Sequence, residues 1–169
     1  VSKIGKFNET ALEENLKNDI KELNKNDQID FEKVLERKMH YFRILYNQEK
    51  KTTFQRKEVK EFIEENKNWL YPYAAFCVLR DENGTCVYDE WKKYQNYKKE
   101  EIYSLFDNDV TFKDAADFYI FIQFHAHKQL TEARNYARSK RIALKGDLPI
   151  GIYRYSCDAW VAPQLYNMH

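Results

Sequence analysis

The chain has 169 residues, 28 of them basic and 27 acidic, so its formal net charge is +1. This balance provides no field that would concentrate a polyanion, which argues against nucleic acid as a partner. The length suits one core or two closely packed units, and every apolar run is shorter than the roughly 20 residues that a membrane-spanning helix needs.

The cysteines and the start of the chain bear on its cellular setting. Cys77, Cys86 and Cys157 are odd in number, and none belongs to a CxxC pair of the kind that zinc sites and thioredoxin-like proteins use. We therefore predict a reducing, cytoplasmic setting and no metal site of the CxxC kind. The chain starts at Val1 rather than at Met, which predicts either a segment of a longer reading frame or a start after a removed tag. No apolar stretch follows, so neither a signal peptide nor a membrane anchor is predicted.

Helical periodicity dominates the first part of the sequence, because only four glycines and three prolines interrupt the whole chain. A first helix is predicted from Asn8 or Thr10 to about Asn24, with apolar residues every three to four positions. Asp30 is the predicted cap of a second helix, and a third is expected over about 52–68. The spacing predicts that the first two pack as an antiparallel pair.

The middle of the chain is more interrupted. Residues 69–72 predict a chain reversal, with Pro72 in the first turn of another helix that ends near Arg80. Residues 81–84 have the composition of a turn. The charged, Tyr-rich stretch 89–109 predicts one or two short helices, with Trp91 among the residues that point inward.

The longest helix is predicted from Thr111 or Asp114 to about Lys140. It is apolar over much of its circumference, so we expect neighbours on more than one side. The period then changes: residues 142–144 predict a short buried strand, and residues 145–151 predict a loop broken by Gly and Pro. One strand cannot form a sheet, so its partners must come from elsewhere. The predicted fold class is mainly α with one short strand.

Residues 144–166 carry a specific resemblance. They read LKGDLPIGI at 144–152, SCDAW at 156–160 and PQLY at 163–166. This order resembles the first conserved stretch of glycoside hydrolase family 77, the 4-α-glucanotransferases (amylomaltases or disproportionating enzymes). The similarity continues upstream at 123–138, and at 69–81 it is similar to the branch of plant cytosolic disproportionating enzymes and their bacterial relatives.

The resemblance implies a fold, an activity and a domain organisation. It implies an internal fragment of a (β/α)8-barrel enzyme, with residues 1–110 as a helical subdomain or insertion and 111–169 as a barrel helix, strand and active-site loop. The implied reaction is transfer of α-1,4-glucan segments between maltooligosaccharides, or to a polysaccharide acceptor, by a retaining mechanism without a cofactor. The family's catalytic carboxylates belong to later strands, so we expect none of them in this chain and expect the chain alone to be inactive.

Three residues are candidates for substrate binding. Asp147 corresponds to the acid at the carboxyl end of the family's strand, where barrel active sites lie, and its alternative is a carboxylate that caps the following loop. Asp158 and Trp160, in the stretch SCDAW, are the other two candidates. A carboxylate accepts sugar hydroxyls and an indole face packs on a pyranose ring, but Asp158 can equally cap a short helix with Trp160 packed beneath it.

For the histidines, Cys157 and the lysines, the sequence favours structural roles over chemical ones. His125 and His127 are two positions apart on a helix, so they point in opposite directions and cannot share a metal. Cys157 has no obvious base beside it, which argues against a nucleophile. The lysines of 92–99 alternate with tyrosines but also with acids, so nucleic-acid stacking is not predicted. The alternative to the enzyme is a non-enzymatic helical module that docks a carbohydrate or another subunit.

Overall fold

The computed structural model describes residues 4–25, 27–147 and 151–167. In those ranges the chain is mainly helical, which confirms the predicted class. The helices are α1 (Thr10–Leu23), α2 (Phe31–Thr53), α3 (Lys57–Asn83), α4 (Lys99–Asn108), α5 (Val110–Ser139) and α6 (Cys157–Val161), with 3-10 turns at Tyr88–Glu90 and Pro163–Leu165. None of the helices within these ranges is long and apolar enough to cross a membrane.

The contacts divide the chain into a first unit, Val1–Lys60, and a second unit, Glu61–His169. In the first unit α1 packs on α2, as the sequence predicted. The Tyr41 hydroxyl donates to Asp19 Oδ2 at 2.7 Å, and Asp30 caps α2 by accepting from the Lys33 N–H at 3.0 Å. The division at residue 110, which concerns the longer protein, stays a prediction.

Helix α3 corrects the reversal predicted at residues 69–72. It runs from Lys57 to Asn83 without a break and carries Pro72 in its interior. A proline there removes one backbone hydrogen bond and costs about 3 kcal/mol in an exposed helix. Here Leu70, Ala74 and Ala75 are fully buried on either side of it, so the apolar packing of the helix outweighs the loss.

The second unit is built on aromatic residues of α3, α4 and α5. Helices α4 and α5 contact each other, and Tyr71 of α3 stacks on Phe106 of α4 with ring centroids 4.1 Å apart. The predicted long helix is confirmed as α5. Its cap is Asp109, which accepts from the Phe112 N–H at 2.9 Å, rather than a residue at 111 or 114.

The strand predicted at residues 142–144 does not form in the part of the chain that the structure describes, where no residue is assigned to a strand. Ile142 and Leu144 are 55% and 59% exposed, and residues 142–147 have no regular secondary structure. The physical reason is that a strand needs a neighbouring backbone to pair with. Of the predicted loop at 145–151, residues 148–150 lie outside the described ranges.

Candidate functional site

Helix α6 carries two of the three predicted site residues. The Ser156 hydroxyl caps it by accepting from the Ala159 N–H at 3.3 Å. Asp158 lies in the first turn, where the positive end of the helix dipole favours a carboxylate, and its side chain is exposed. The cap is therefore Ser156, and Asp158 remains accessible to a ligand.

Trp160 lies on the opposite side of the same helix and is 2% exposed. Its indole N–H donates to the Tyr94 carbonyl oxygen at 2.9 Å. Its ring contacts Phe76, Trp91 and Tyr97, with centroids 5.8, 5.7 and 5.0 Å away. In this structure the indole packs beneath α6 and its ring faces are covered. This is the alternative arrangement that the sequence allowed, in which Trp160 packs under a short helix.

One local and one long-range hydrogen bond hold this region together. The Trp91 indole N–H donates to the Thr85 carbonyl at 2.8 Å, and the Tyr88 hydroxyl donates to the Arg154 carbonyl at 3.2 Å. The loop that follows α3 is thereby tied to the segment that leads into α6. Buried Tyr and Trp side chains commonly place their polar atoms on such partners while the rings fill the core.

Asp147 lies apart from α6 in the sequence, on the exposed segment 142–147 that follows α5. The backbone turns sharply where this segment begins, because Arg141 adopts a left-handed conformation with φ 59°. The structure thus brings Asp158 and Trp160 together on one short helix and leaves Asp147 on a separate segment.

A polar network between α3 and α5 was missed by the sequence analysis. Arg80 Nε and Nη2 donate to Asp81 Oδ1 at 2.9 and 2.8 Å, and the Tyr119 hydroxyl donates to Asp81 Oδ2. Burial and the bond to Asp81 raise the pKa of Tyr119. We predicted Asp81 in a turn, whereas it lies in α3. The adjacent Arg-Asp pair at the end of an apolar run is the signal that could have placed it in a helix.

The cysteines and histidines do not form a reactive cluster in the described residues. Burial raises the pKa of Cys77 to about 11 and that of Cys157 to about 12, so both thiols stay protonated near neutral pH, and a thiol is a poor nucleophile. All three cysteines are free. Across the ranges that the structure describes, no group of three His, Cys, Asp or Glu side chains is arranged to hold a metal ion.

Comparison with known proteins agrees with the motif at 144–166. A family profile described as 4-alpha-glucanotransferase matches residues 2–169. The 4-alpha-glucanotransferase DPE2 of Oryza sativa subsp. japonica is 40% identical over 149 residues, which cover 88% of this chain and 16% of the rice protein. The 4-alpha-glucanotransferase of Chlamydia muridarum is 28% identical over 153 residues, covering 90% of this chain and 28% of its own length.

The 4-alpha-glucanotransferase of Aquifex aeolicus is 31% identical over 110 residues, which cover 65% of this chain and 22% of that protein. No solved structure gives a significant match. This chain therefore spans between 16% and 28% of the length of these relatives. The profile match covers nearly every residue. The chain belongs to the 4-alpha-glucanotransferases, glycoside hydrolase family 77.

Proposed function

We propose that this chain is part of an enzyme that transfers α-1,4-glucan segments between maltooligosaccharides or to a polysaccharide acceptor. The observation that carries the proposal is the family match over residues 2–169, which includes the GDLPIG motif around Asp147. The reaction is retaining transglycosylation, in which one carboxylate attacks the anomeric carbon and another protonates the departing sugar. Such pairs stand about 5–5.5 Å apart. In this proposal they belong to parts of the longer protein outside this chain.

The proposal gives each site residue a role. Asp147 and Asp158 accept hydrogen bonds from glucose hydroxyls. The accessibility of both side chains supports this assignment. Trp160, predicted as a third contact, contributes by holding Asp158 in place, since its buried indole anchors α6 on the Tyr94 carbonyl. These carboxylates bind and orient substrate, and neither one forms the glycosyl bond.

The same proposal includes a cellular compartment, a reaction without a cofactor and a binding partner. The reaction moves a glycosyl group between hydroxyls and requires no redox or metal chemistry. Three free cysteines, two of them with pKa values raised by burial, support a reducing cytoplasmic environment. The partner is an α-1,4-glucan, and the near-neutral charge does not favour nucleic acid.

The purified chain should not disproportionate maltotriose, because the carboxylates that form and break the glycosyl–enzyme bond lie outside it. The assay is incubation with maltotriose followed by chromatography of the sugars, with a longer protein that contains this chain assayed beside it. Glucose and longer oligomers produced by the pure chain would show that the chemistry lies within it. If a longer protein that contains this chain is also inactive, the docking-module alternative is favoured.

A further inference from the structure

The Tyr88 hydroxyl group fixes the backbone just before helix α6. It donates to the Arg154 carbonyl oxygen at 3.2 Å, and the Tyr88 side chain is 7% exposed. Its ring contacts the rings of Trp91 and Tyr155, with centroids 6.3 and 5.6 Å away. Burial raises the pKa of Tyr88, so the hydroxyl keeps the proton that it donates. The loop after α3 therefore holds residues 154–155 by a ring contact and a directed hydrogen bond.

This hydrogen bond lies two positions before the cap of α6. The Ser156 N–H donates to the Tyr153 carbonyl at 3.0 Å, so Arg154 lies inside a turn that ends at Ser156. The Ser156 hydroxyl then caps α6, and Asp158 is in the first turn of that helix. A short chain of hydrogen bonds thus runs from Tyr88 to the backbone that carries Asp158.

The other end of α6 is fixed separately, through the Trp160 indole on the Tyr94 carbonyl. Both anchors belong to the segment 84–98 between α3 and α4. A carboxylate that is exposed to solvent binds a sugar hydroxyl best when its backbone is already held, because less conformational freedom is then lost on binding. The two anchors together hold the backbone of Asp158 in this way.

We propose that Tyr88 is a positioning residue for the substrate site, because its hydrogen bond to the Arg154 carbonyl sets the position of Asp158. In this role Tyr88 touches no substrate and acts through the start of α6. The role of Asp158 rests on the proposed function, whereas the tether between Tyr88 and Arg154 does not.

The first test compares two variants of a longer protein that contains this chain, with maltotriose as the substrate. Tyr88→Phe keeps the ring and removes the hydroxyl. It should lower kcat/KM about two- to tenfold, mainly by raising KM, which is the order of effect of one neutral hydrogen bond. Tyr103→Phe is the matched control, because the Tyr103 hydroxyl also donates to a backbone carbonyl of the second unit, that of Lys67 at 3.1 Å. It should lower the melting temperature as much as Tyr88→Phe does and leave kcat/KM unchanged.

A double-variant cycle shows whether Tyr88 acts through Asp158. In the Asp158→Asn background, Tyr88→Phe should lower kcat/KM further by less than about twofold, because the carboxylate that it positions is gone. The proposal is overturned if the effect of Tyr88→Phe is as large in this background as in the wild type. It is also overturned if Tyr88→Phe lowers the melting temperature and keeps the wild-type kcat/KM, since Tyr88 would then be purely structural.

Hydrogen exchange of the chain alone tests the tether without any activity. Tyr88→Phe should raise the exchange rates of the amides in 154–161 roughly fivefold, whereas Tyr103→Phe should leave them unchanged. Unchanged rates in Tyr88→Phe would overturn the proposal. If the longer protein is inactive toward maltotriose, the proposed function fails, and these exchange rates alone decide whether Tyr88 holds the start of α6.

Discussion

At the scale of single residues, Asp158 and Trp160 lie in one turn of helix, but one is exposed to solvent and the other is buried in the core. Positions two apart on an α-helix point about 200° away from each other, so one side chain faces solvent while the other enters the core. Asp158 is exposed and Trp160 is 2% exposed. Substitutions at the two positions should therefore affect different measurements.

Trp160→Ala should lower the free energy of unfolding by about 3–5 kcal/mol, because it leaves a cavity among the rings that surround the indole. Asp158→Ala should change it by less than about 1 kcal/mol, since only a favourable charge at a helix start is lost. Urea denaturation of both variants measures the difference. Equal stability of the two would contradict the burial of Trp160.

In the longer protein, Asp147→Asn should lower kcat more than it lowers the melting temperature. Losing a charge-assisted hydrogen bond to substrate costs about 1.5–3 kcal/mol, roughly one to two decades in rate if the bond is made in the transition state. A carboxylate that only caps the loop would cost about 0.5–2 kcal/mol of stability and leave kcat unchanged. Thermal melting and kcat measured on one preparation distinguish these roles, and a lowered melting temperature with unchanged kcat would remove Asp147 from the site.

At the scale of elements, the end of α5 is defined by its backbone hydrogen bonds. The Ile142 N–H donates to the Ala137 carbonyl and the Arg141 N–H to the Arg138 carbonyl, both at 2.9 Å. This pattern is a Schellman motif, in which the residue after the cap is left-handed and is usually glycine. Arginine occupies that position here at φ 59°.

Arg141→Gly should therefore raise the free energy of unfolding by about 1 kcal/mol, the order of the cost of a left-handed conformation for a residue with a Cβ. Arg138→Gly, which lies within the last turn of the same helix, is the opposite control and should lower it by a similar amount. Thermal melts of the two variants provide the measurement. A destabilised Arg141→Gly would mean that its side chain contributes more than its backbone costs.

The elements also show which structures the sequence could predict and which it could not. The periodic helices and the cap at Asp30 follow from local spacing, so they were predictable. The continuation of α3 through Pro72 could not be predicted. It depends on buried tertiary packing that outweighs the penalty of a proline, and such packing cannot be deduced from the neighbouring residues in the sequence. The strand at 142–144 depends on a partner strand, and the depth of Trp160 depends on Tyr94 and Phe76, which lie far away in the sequence.

At the scale of the whole molecule, several cysteine and tyrosine side chains that are buried or half-buried hold their protons more tightly than usual. Burial is the largest cause, and it raises the pKa of Cys77 to about 11 and those of Cys157, Tyr73 and Tyr97 to about 12. The ordinary values are 9.0 for cysteine and 10.0 for tyrosine. The folded chain thus binds more protons than the unfolded chain between those values and about 12.

Stability should therefore be fully present below about pH 9 and should fall as the pH rises through about 9 to 12, because the unfolded state releases these protons first. The measurement is the urea midpoint at a series of alkaline pH values. Tyr97→Phe keeps the ring and removes one titrating group, so its midpoint should fall less steeply. A midpoint that stays constant up to about pH 11 would show that these groups are hydrated in the folded state.

The two hydrogen bonds that tie α6 and the segment before it to the loop after α3 each join residues 66 positions apart. Closing a flexible loop of that length costs on the order of 4 kcal/mol of chain entropy, which the burial of Trp160 must offset. During synthesis, Trp91 leaves the ribosome well before Trp160 does. The rings around Trp91 therefore remain without the cover of Trp160 until residues 157–161 have been synthesised.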